Sequence, residues 1–211
     1  MSSYLQCLQQ LQSTIQISSR NVLDIPNDYK RAAVLVPIYI KHDEWHILFT
    51  RRTEKVTHHK NEISFPGGGF DENEDKNIVE TAVREIEEEI GCKEVEILGL
   101  LDDIFTISGY IVTPVVGKIT NSVDIDCNQQ DSDEIQYIIS VPLKKVANPS
   151  NFWTQEFEYN GGKLYKVPFF DYKGEIIWGA TGRILLNFLR ILTALNQNCR
   201  EQFINSYIWT D

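Results

Sequence analysis

A chain of 211 residues with 42% hydrophobic content can bury one sizeable core and fits a single elaborated α/β domain. Lys and Arg total 20 against 30 Asp and Glu, a formal net charge of -10, so there is no basic excess to neutralise a nucleic-acid backbone. A small phosphorylated substrate stays compatible with this acidity where divalent cations or a few local Arg and Lys screen its anionic groups.

Residues 1–14 are polar with Leu5, Leu8 and Leu11 at three-residue steps, which predicts a short amphipathic helix. They show neither a long apolar run nor a basic-then-apolar leader, and residues 208–211 carry no peroxisomal tripeptide or prenylation cysteine. A soluble, cytoplasmic protein that binds neither membrane nor nucleic acid is expected. Cys7, Cys92, Cys127 and Cys199 are scattered without a C-x-x-C or zinc spacing, so no disulfide framework and no structural zinc are expected.

Residues 32–40 are apolar and β-branched, as in a buried strand, and 45–50 read as a hairpin partner across His42 and Asp43. The next stretch, 51–60, holds Arg51, Arg52, Lys55, His58, His59 and Lys60, a local positive region in an acidic chain. Phe65, Pro66 and three glycines, Gly67, Gly68 and Gly69, break regular structure, and 76–90 then shows helical periodicity ending at Gly91. Strands are expected at 95–101, 110–117, 135–141, 163–170 and 176–178, before a helix over 181–195 whose apolar stripe can dock on a sheet. Strands with helices on their faces make an α/β sandwich. The expected organisation is one domain over 1–211, with its core at about 30–195 and a helical extension at 196–211.

The segment from Gly67 to Cys92, GGGFDENEDKNIVETAVREIEEEIGC, carries the chemistry. At about 100° per residue, Glu85, Glu88 and Glu89 fall within one arc of roughly 100°, and Glu87 points to the opposite side. The apolar arc of Ile78, Ala82, Ile86 and Ile90 lies beside them, placing the three carboxylates at the rim where helix meets sheet. Such runs are ordinarily solvated helix faces. As structure this one is costly, since like charges at helical spacing destabilise by about 0.2–0.5 kcal/mol a pair and acids near a C-terminus oppose the macrodipole. A hard divalent cation with oxygen ligands reverses both effects, and Mg²⁺ or Mn²⁺ suits a cluster lacking His and Cys. Arg84, four residues after Glu80 and four before Glu88, is placed to hold a carboxylate. The histidines His42, His46, His58 and His59 make no ligand or triad pattern, and Cys92 reads as a packing residue.

The run Arg84-Glu85-Ile86-Glu87-Glu88-Glu89-Ile90-Gly91-Cys92 resembles the R-E-U-x-E-E-x-G-U end of the Nudix box, with U a bulky apolar residue. Upstream the spacing differs: five residues separate Gly69 from Asp75, and eight separate Asp75 from Arg84, where the usual box has a Glu and seven. This looks like the variant box of the coenzyme A diphosphatase subgroup, whose lead-in reads L-L-T-x-R-S-x-x-L-R-x-x-x-G-x-V-x-F-P-G-G. Leu48 to Thr53 and Asn61 to Gly68 follow that lead-in in register, with Thr57 in place of an arginine and Asn61 in place of a glycine. Residues 110–117, 133–135 and 177–181 are also similar to segments of the subgroup.

The resemblance implies a Nudix-type α/β/α sandwich with a mixed sheet and an enzyme cleaving a diphosphate anhydride with Mg²⁺, Mn²⁺ being the other candidate. Glu85, Glu88 and Glu89 would hold the metal; Arg84, Glu88 and Glu134 would be catalytic, with the general base open between Glu88 and Glu134. Arg51, Arg52, Gly67, Gly68 and Gly69 would bind substrate, Lys55 being a further candidate for its phosphates. The implied substrate is a small nucleotide, coenzyme A or an acyl derivative, giving 3′,5′-ADP and 4′-phosphopantetheine or its acyl form. The Thr57 and Asn61 departures favour ADP-ribose or another nucleoside diphosphate derivative as the alternative. A non-catalytic nucleotide-binding regulator is the alternative of a different class, against which stand the intact Arg84, Glu85, Glu88 and Glu89. A homodimer is compatible with all three.

Overall fold

The β-branched run after residue 30 forms β1 (Lys30–Lys41), which turns tightly into β2 (Glu44–Arg52). His42 and Asp43, the two turn residues, both adopt positive φ, 50° and 60°, matching the twist of a two-residue hairpin. The structure, a computed structural model, describes residues 2–18, 20–26, 28–54, 60–120, 134–159, 163–207 and 209. Lys55, Thr57, His58, His59 and Asp133 lie outside the described residues, as does Cys127.

An eight-stranded mixed sheet forms the frame. β1 pairs in parallel with β7 (Tyr110–Ile119), and the other pairings are antiparallel. β5 (Val95–Leu100) and β6 (Ile104–Phe105) line the far edge of β7. β8 (Ile135–Pro142) and β3 (Ile63–Ser64) flank β2. The three glycines, expected to break regular structure, form a short strand, β4 (Gly67–Gly69), paired with Ala32, Ala33 and Val34 of β1. Tertiary pairing here overrides the low strand propensity of glycine.

Period-two alternation assigns the two faces. Ala33, Leu35, Tyr39 and Leu48 pack beneath α2 (Ile78–Ile90) with its Ile78, Ala82 and Ile86. Val36, Ile38, Trp45, Ile47 and Phe49 face the opposite way, toward α1 (Ser2–Ile17), the one-turn α3 (Leu143–Val146), α4 (Gly179–Thr193) and α5 (Gln197–Ile204). This is the expected α/β/α sandwich. Helix α2 starts two residues later than its periodicity predicts, because the Asn77 side chain accepts from the Val79 and Glu80 N–H groups as N-cap. Gly91 ends it in the left-handed conformation, φ 70°, as expected. Likewise α4 begins at Gly179, so Trp178 is its N-cap and not the end of a strand.

Two features depart from expectation. Residues 152–159, with no assignment in the sequence, form β9 (Phe152–Tyr159), which pairs with β10 (Lys163–Tyr172) and through it joins β11 (Glu175–Ile177) in a separate three-stranded sheet. Alternation begins only at Glu156, after two adjacent aromatics and two polar residues, so the run carries no clean period and the strand exists through its pairing with β10. The second departure is a disulfide between Cys7 of α1 and Cys199 of α5, both buried, with Cα atoms 5.0 Å apart. Spacing of 192 residues hides such a pair from a sequence reading. Among the described residues no helix is long and apolar enough to cross a membrane.

Closing a loop of this length by a cross-link restricts the unfolded chain by about 5 kcal/mol in the chain-entropy account. Dithiothreitol, or Cys7→Ser, is therefore expected to lower the denaturant midpoint clearly while leaving circular dichroism unchanged, and non-reducing electrophoresis should show the oxidised chain migrating faster than the reduced one.

Candidate active site

The site is built where α2 crosses the end of β1 and the glycine strand. Because helical side chains repeat every 3.6 residues, Glu85, Glu88 and Glu89 share one side of α2 as expected, but they sit at three different depths. Glu89 is buried at 9% exposure, Glu85 is half-buried, and Glu88 stands in solvent. Glu87 points away and pairs with Lys93 at 3.4 Å. It also lines a cavity of about 340 Å³ between Glu74 and Glu87, on the side of α2 away from Glu85 and Glu89.

Burial makes Glu89 an unusually weak acid. Desolvation and then the nearby Glu85 charge push its carboxyl up to about 8, against the lowering effects of the Gly67 backbone N–H and the Arg52 charge. Its Oε2 is buried without a hydrogen-bond partner. Glu85 is raised too, chiefly by desolvation, with Arg84 opposing. Glu134, at the start of the described part of its segment, is close enough for its charge to raise both.

Arg84 counters this charge. Its guanidinium reaches Asp75 through Nε at 3.0 Å and Nη2 at 3.1 Å, Glu85 at 2.8 Å, Glu88 at 3.2 Å and the Gly69 carbonyl at 3.2 Å. Glu80 is not among these partners: it accepts from the Lys76 N–H at 3.0 Å and so serves the helix start. Asp75 is the principal partner, its buried carboxylate also accepting from Thr81 Oγ1 at 2.9 Å and the Asp71 N–H at 3.1 Å. The Arg84 hydrogen bonds hold the Asp75 carboxyl at about 2, outweighing desolvation. The Asp and the extra residue of the variant box thus still deliver an acid to the arginine. Box register places Asp75 nine residues before Arg84 without saying that the two meet, and Thr81, spaced six residues from Asp75, carried no signal.

The glycines serve different ends. A Cβ on Gly68 would lie 2.3 Å from Glu85 Oε1, and one on Gly67 would lie 2.3 Å from the Ala33 carbonyl oxygen. Gly69 has open space around it. The arginines divide as well. Arg52 lies on the α2 side, 3.7 Å from Glu134. Arg51, one residue earlier, takes the other face, where it pairs with Glu175 of β11 at 2.9 Å, and the Tyr137 hydroxyl donates to the same carboxylate at 2.6 Å. The structure therefore gathers Glu85, Glu88, Glu89, Arg84, Arg52, Glu134 and the glycines, and sets Arg51 apart.

Among the described residues no three acidic, His or Cys side chains converge as a preformed cation cage. The donor set nevertheless suits a hard cation: it is all oxygen, and a buried carboxylate with an orphaned oxygen lies at its centre.

Residues 29–159 match the NUDIX domain model. An uncharacterised Nudix hydrolase, NudL, of Photorhabdus laumondii is 33% identical over 163 residues, covering 76% of this chain and 84% of the relative. Its counterpart from Pectobacterium atrosepticum is 34% identical over 158 residues, covering 74% and 79%. A solved MutT/nudix family protein from Enterococcus faecalis shares the fold at 11% identity, with a TM-score of 0.55 over 92% of this chain and 78% of that one.

Three outcomes follow from this electrostatic arrangement. Since Glu89 is raised in the folded state, the metal-free protein should lose stability as pH rises from about 4.5 to 8 and then level off. Glu89→Gln should remove that slope and stabilise the metal-free protein at pH 9 by at least about 1 kcal/mol, measured by urea titration at several pH values. Asp75 is depressed, so its contribution of about 2 kcal/mol should be present above pH 4 and vanish as pH falls toward 2, and Asp75→Asn should abolish it. Gly68→Ala should cut turnover by about 10-fold or more by displacing Glu85, while Gly69→Ala stays within about 3-fold of the parent, as steady-state rates would show.

Proposed function

The chain belongs to the Nudix hydrolase family, and from that premise we propose that it cleaves the diphosphate of coenzyme A or an acyl-coenzyme A with Mg²⁺ or Mn²⁺. The products are 3′,5′-ADP and 4′-phosphopantetheine or its acyl form. The observation that carries this choice of substrate is the backbone at Asn61. The coenzyme A lead-in has glycine at this position, and Asn61 holds φ at 57°, the left-handed region in which glycine and asparagine are the favoured residues. The replacement thus keeps the conformation that a glycine supplies. Around it the lead-in is tied down by the Arg52 N–H donating to the Glu62 carbonyl at 3.0 Å and by a 3.2 Å hydrogen bond between the Thr50 and Ser64 hydroxyls. Arg52 is thereby held beside Glu134 and within electrostatic reach of Glu89.

In this reading Glu85, Glu88 and Glu89 hold the cation. When bound there, it would supply neutralisation of charge on the phosphoryl oxygens and a lowered pKa of water. Arg52 binds a phosphate of the substrate, with Arg's fork suited to two phosphate oxygens. Gly67 and Gly68 let the backbone pass close to β1 and to the Glu85 carboxylate, which sets that carboxylate against the strand. Arg84, anchored on Asp75, is a positioning residue that sets Glu85 and Glu88. Water adds its oxygen to one phosphorus, the bridging P–O bond breaks, and the water's proton passes to Glu88 or Glu134, both of them solvent-exposed. Arg51, engaged with Glu175, braces the two sheets against each other.

The test is product identification by mass after incubation with coenzyme A, ADP-ribose and NADH separately, each with Mg²⁺ and with chelator. Metal-dependent 3′,5′-ADP from coenzyme A is expected. AMP from ADP-ribose or NADH, with coenzyme A untouched, would transfer the chain to the dinucleotide class. Glu134→Gln then separates the two bases, since Glu134 lies outside the cation-holding set: as the base it should lose about 100-fold in kcat together with the acidic limb of the pH profile, and an unaltered profile would assign the role to Glu88.

A further inference from the structure

Beside the site stands an arginine without a counter-charge. Period-two alternation puts Arg31 on the same face of β1 as Ala33 and Leu35, the face that α2 covers. The Phe70 N–H donates to the Arg31 carbonyl at 3.0 Å, which carries the pairing of Ala33 with Gly68 one step further along the ladder, and the Phe70 ring packs on that same face. There the Arg31 guanidinium sits over the ring, 5.0 Å from its centroid. Such a contact draws on the charge of the guanidinium and spends none of its five N–H donors. Among the described residues no carboxylate or carbonyl takes them. Arg20, Arg51, Arg52 and Arg84, by contrast, each pair with a carboxylate. Arg31 is therefore an exposed, ring-held cation with its donors unspent, in a chain whose net charge is -10.

We propose that Arg31 receives the 3′-phosphate of the substrate and so discriminates coenzyme A from nucleotides that lack this group, a role that rests on the coenzyme A reading above. Its position fits. The Glu85 carboxylate lies against Gly68, opposite Ala33, and Arg31 is two residues along the same strand face, about 7 Å away, a separation that a ribose bearing a 5′-diphosphate and a 3′-phosphate spans. Arg52 acts from the other end of the acidic row, within reach of Glu89, so that a diphosphate set over these carboxylates has one arginine on each side. Its chemistry fits as well. A phosphate monoester carries about two negative charges and three acceptor oxygens, and a guanidinium fork takes two such oxygens at once. The Phe70 ring, itself half-buried against the α2 side of the sheet, holds the guanidinium before substrate arrives and so lowers the cost of ordering a long side chain. ADP-ribose and NADH have no 3′-phosphate and leave this arginine unused.

The test compares coenzyme A with dephospho-coenzyme A, which keeps the diphosphate and lacks only the 3′-phosphate. The parent should favour coenzyme A by about 10-fold or more in kcat/KM, chiefly through KM, and Arg31→Gln should bring that ratio close to one. Arg31→Lys, which keeps the charge and loses the fork, should retain part of the preference. Equal use of both substrates by the parent, or a preference that survives Arg31→Gln, would overturn the proposal. A loss that falls on both substrates alike would do the same and leave Arg31 as a cover for Phe70. Calorimetric binding of 3′,5′-ADP and of 5′-AMP, each with Mg²⁺, reads the contact without turnover: the parent should bind 3′,5′-ADP about 10-fold more tightly, and Arg31→Gln should bind the two equally. Coenzyme A left uncut while this Arg31-dependent preference holds would refute the reaction and keep the anion site. Coenzyme A cut without the preference would refute the anion site and keep the reaction.

Discussion

The Arg84–Asp75 ion pair is the constraint on which the acidic end of α2 depends. Asp75, Glu85 and Glu88 each reach Arg84, Glu89 lies near enough to Glu85 to feel its charge, and Asp75 and Glu89 are buried. An arginine serves better than a lysine here because its planar fork spreads several donors over several acceptors while its charge persists at any biological pH. By reaching Asp75, Glu85, Glu88 and the Gly69 carbonyl, it ties the loop before the helix, the helix and the glycine strand into one unit. It leaves Glu89 uncompensated. The protein therefore carries a buried carboxylate whose charged form is disfavoured, a local instability of the kind that functional sites retain at a cost in folding free energy.

The sheet decides what surrounds that helix. Parallel pairing of β1 with β7 and the covering of both faces bury β1 along most of its length, leaving its end beside β4 as the opening. Gly67 and Gly68 are needed because the backbone passes close to β1 on one side and to the Glu85 carboxylate on the other. Strand alternation then separates two adjacent arginines. Arg52 joins the acidic side, and Arg51 becomes part of the brace with Tyr137 and Glu175 that fastens the second sheet to the first.

The elements legible in the sequence were those with a strong local period or cap. The hairpin at His42 and Asp43, helix α2 with its Gly91 stop, and the docking stripe of α4 all announce themselves within about fifteen residues, because their determinants are local torsions and side chains on neighbouring turns. The wheel position of Glu85, Glu88 and Glu89 was legible for the same reason. Their depths were not, since burial depends on where the sheet lies and not on the helix. The strand at Gly67–Gly69 and the strand at Phe152–Tyr159 escaped because each exists through its partner strand.

By itself the sequence determined the acidic helix, the family and the α/β architecture, all written in residue type and short spacing. Only the tertiary structure decided that Asp75 is the partner of Arg84, that Arg51 and Arg52 part company, and that Cys7 lies against Cys199. It alone also set Arg31 over the Phe70 ring. These are relations between segments far apart in the chain or on opposite sides of one strand. They arise only when the strands pair in one register and bring such side chains within reach of one another.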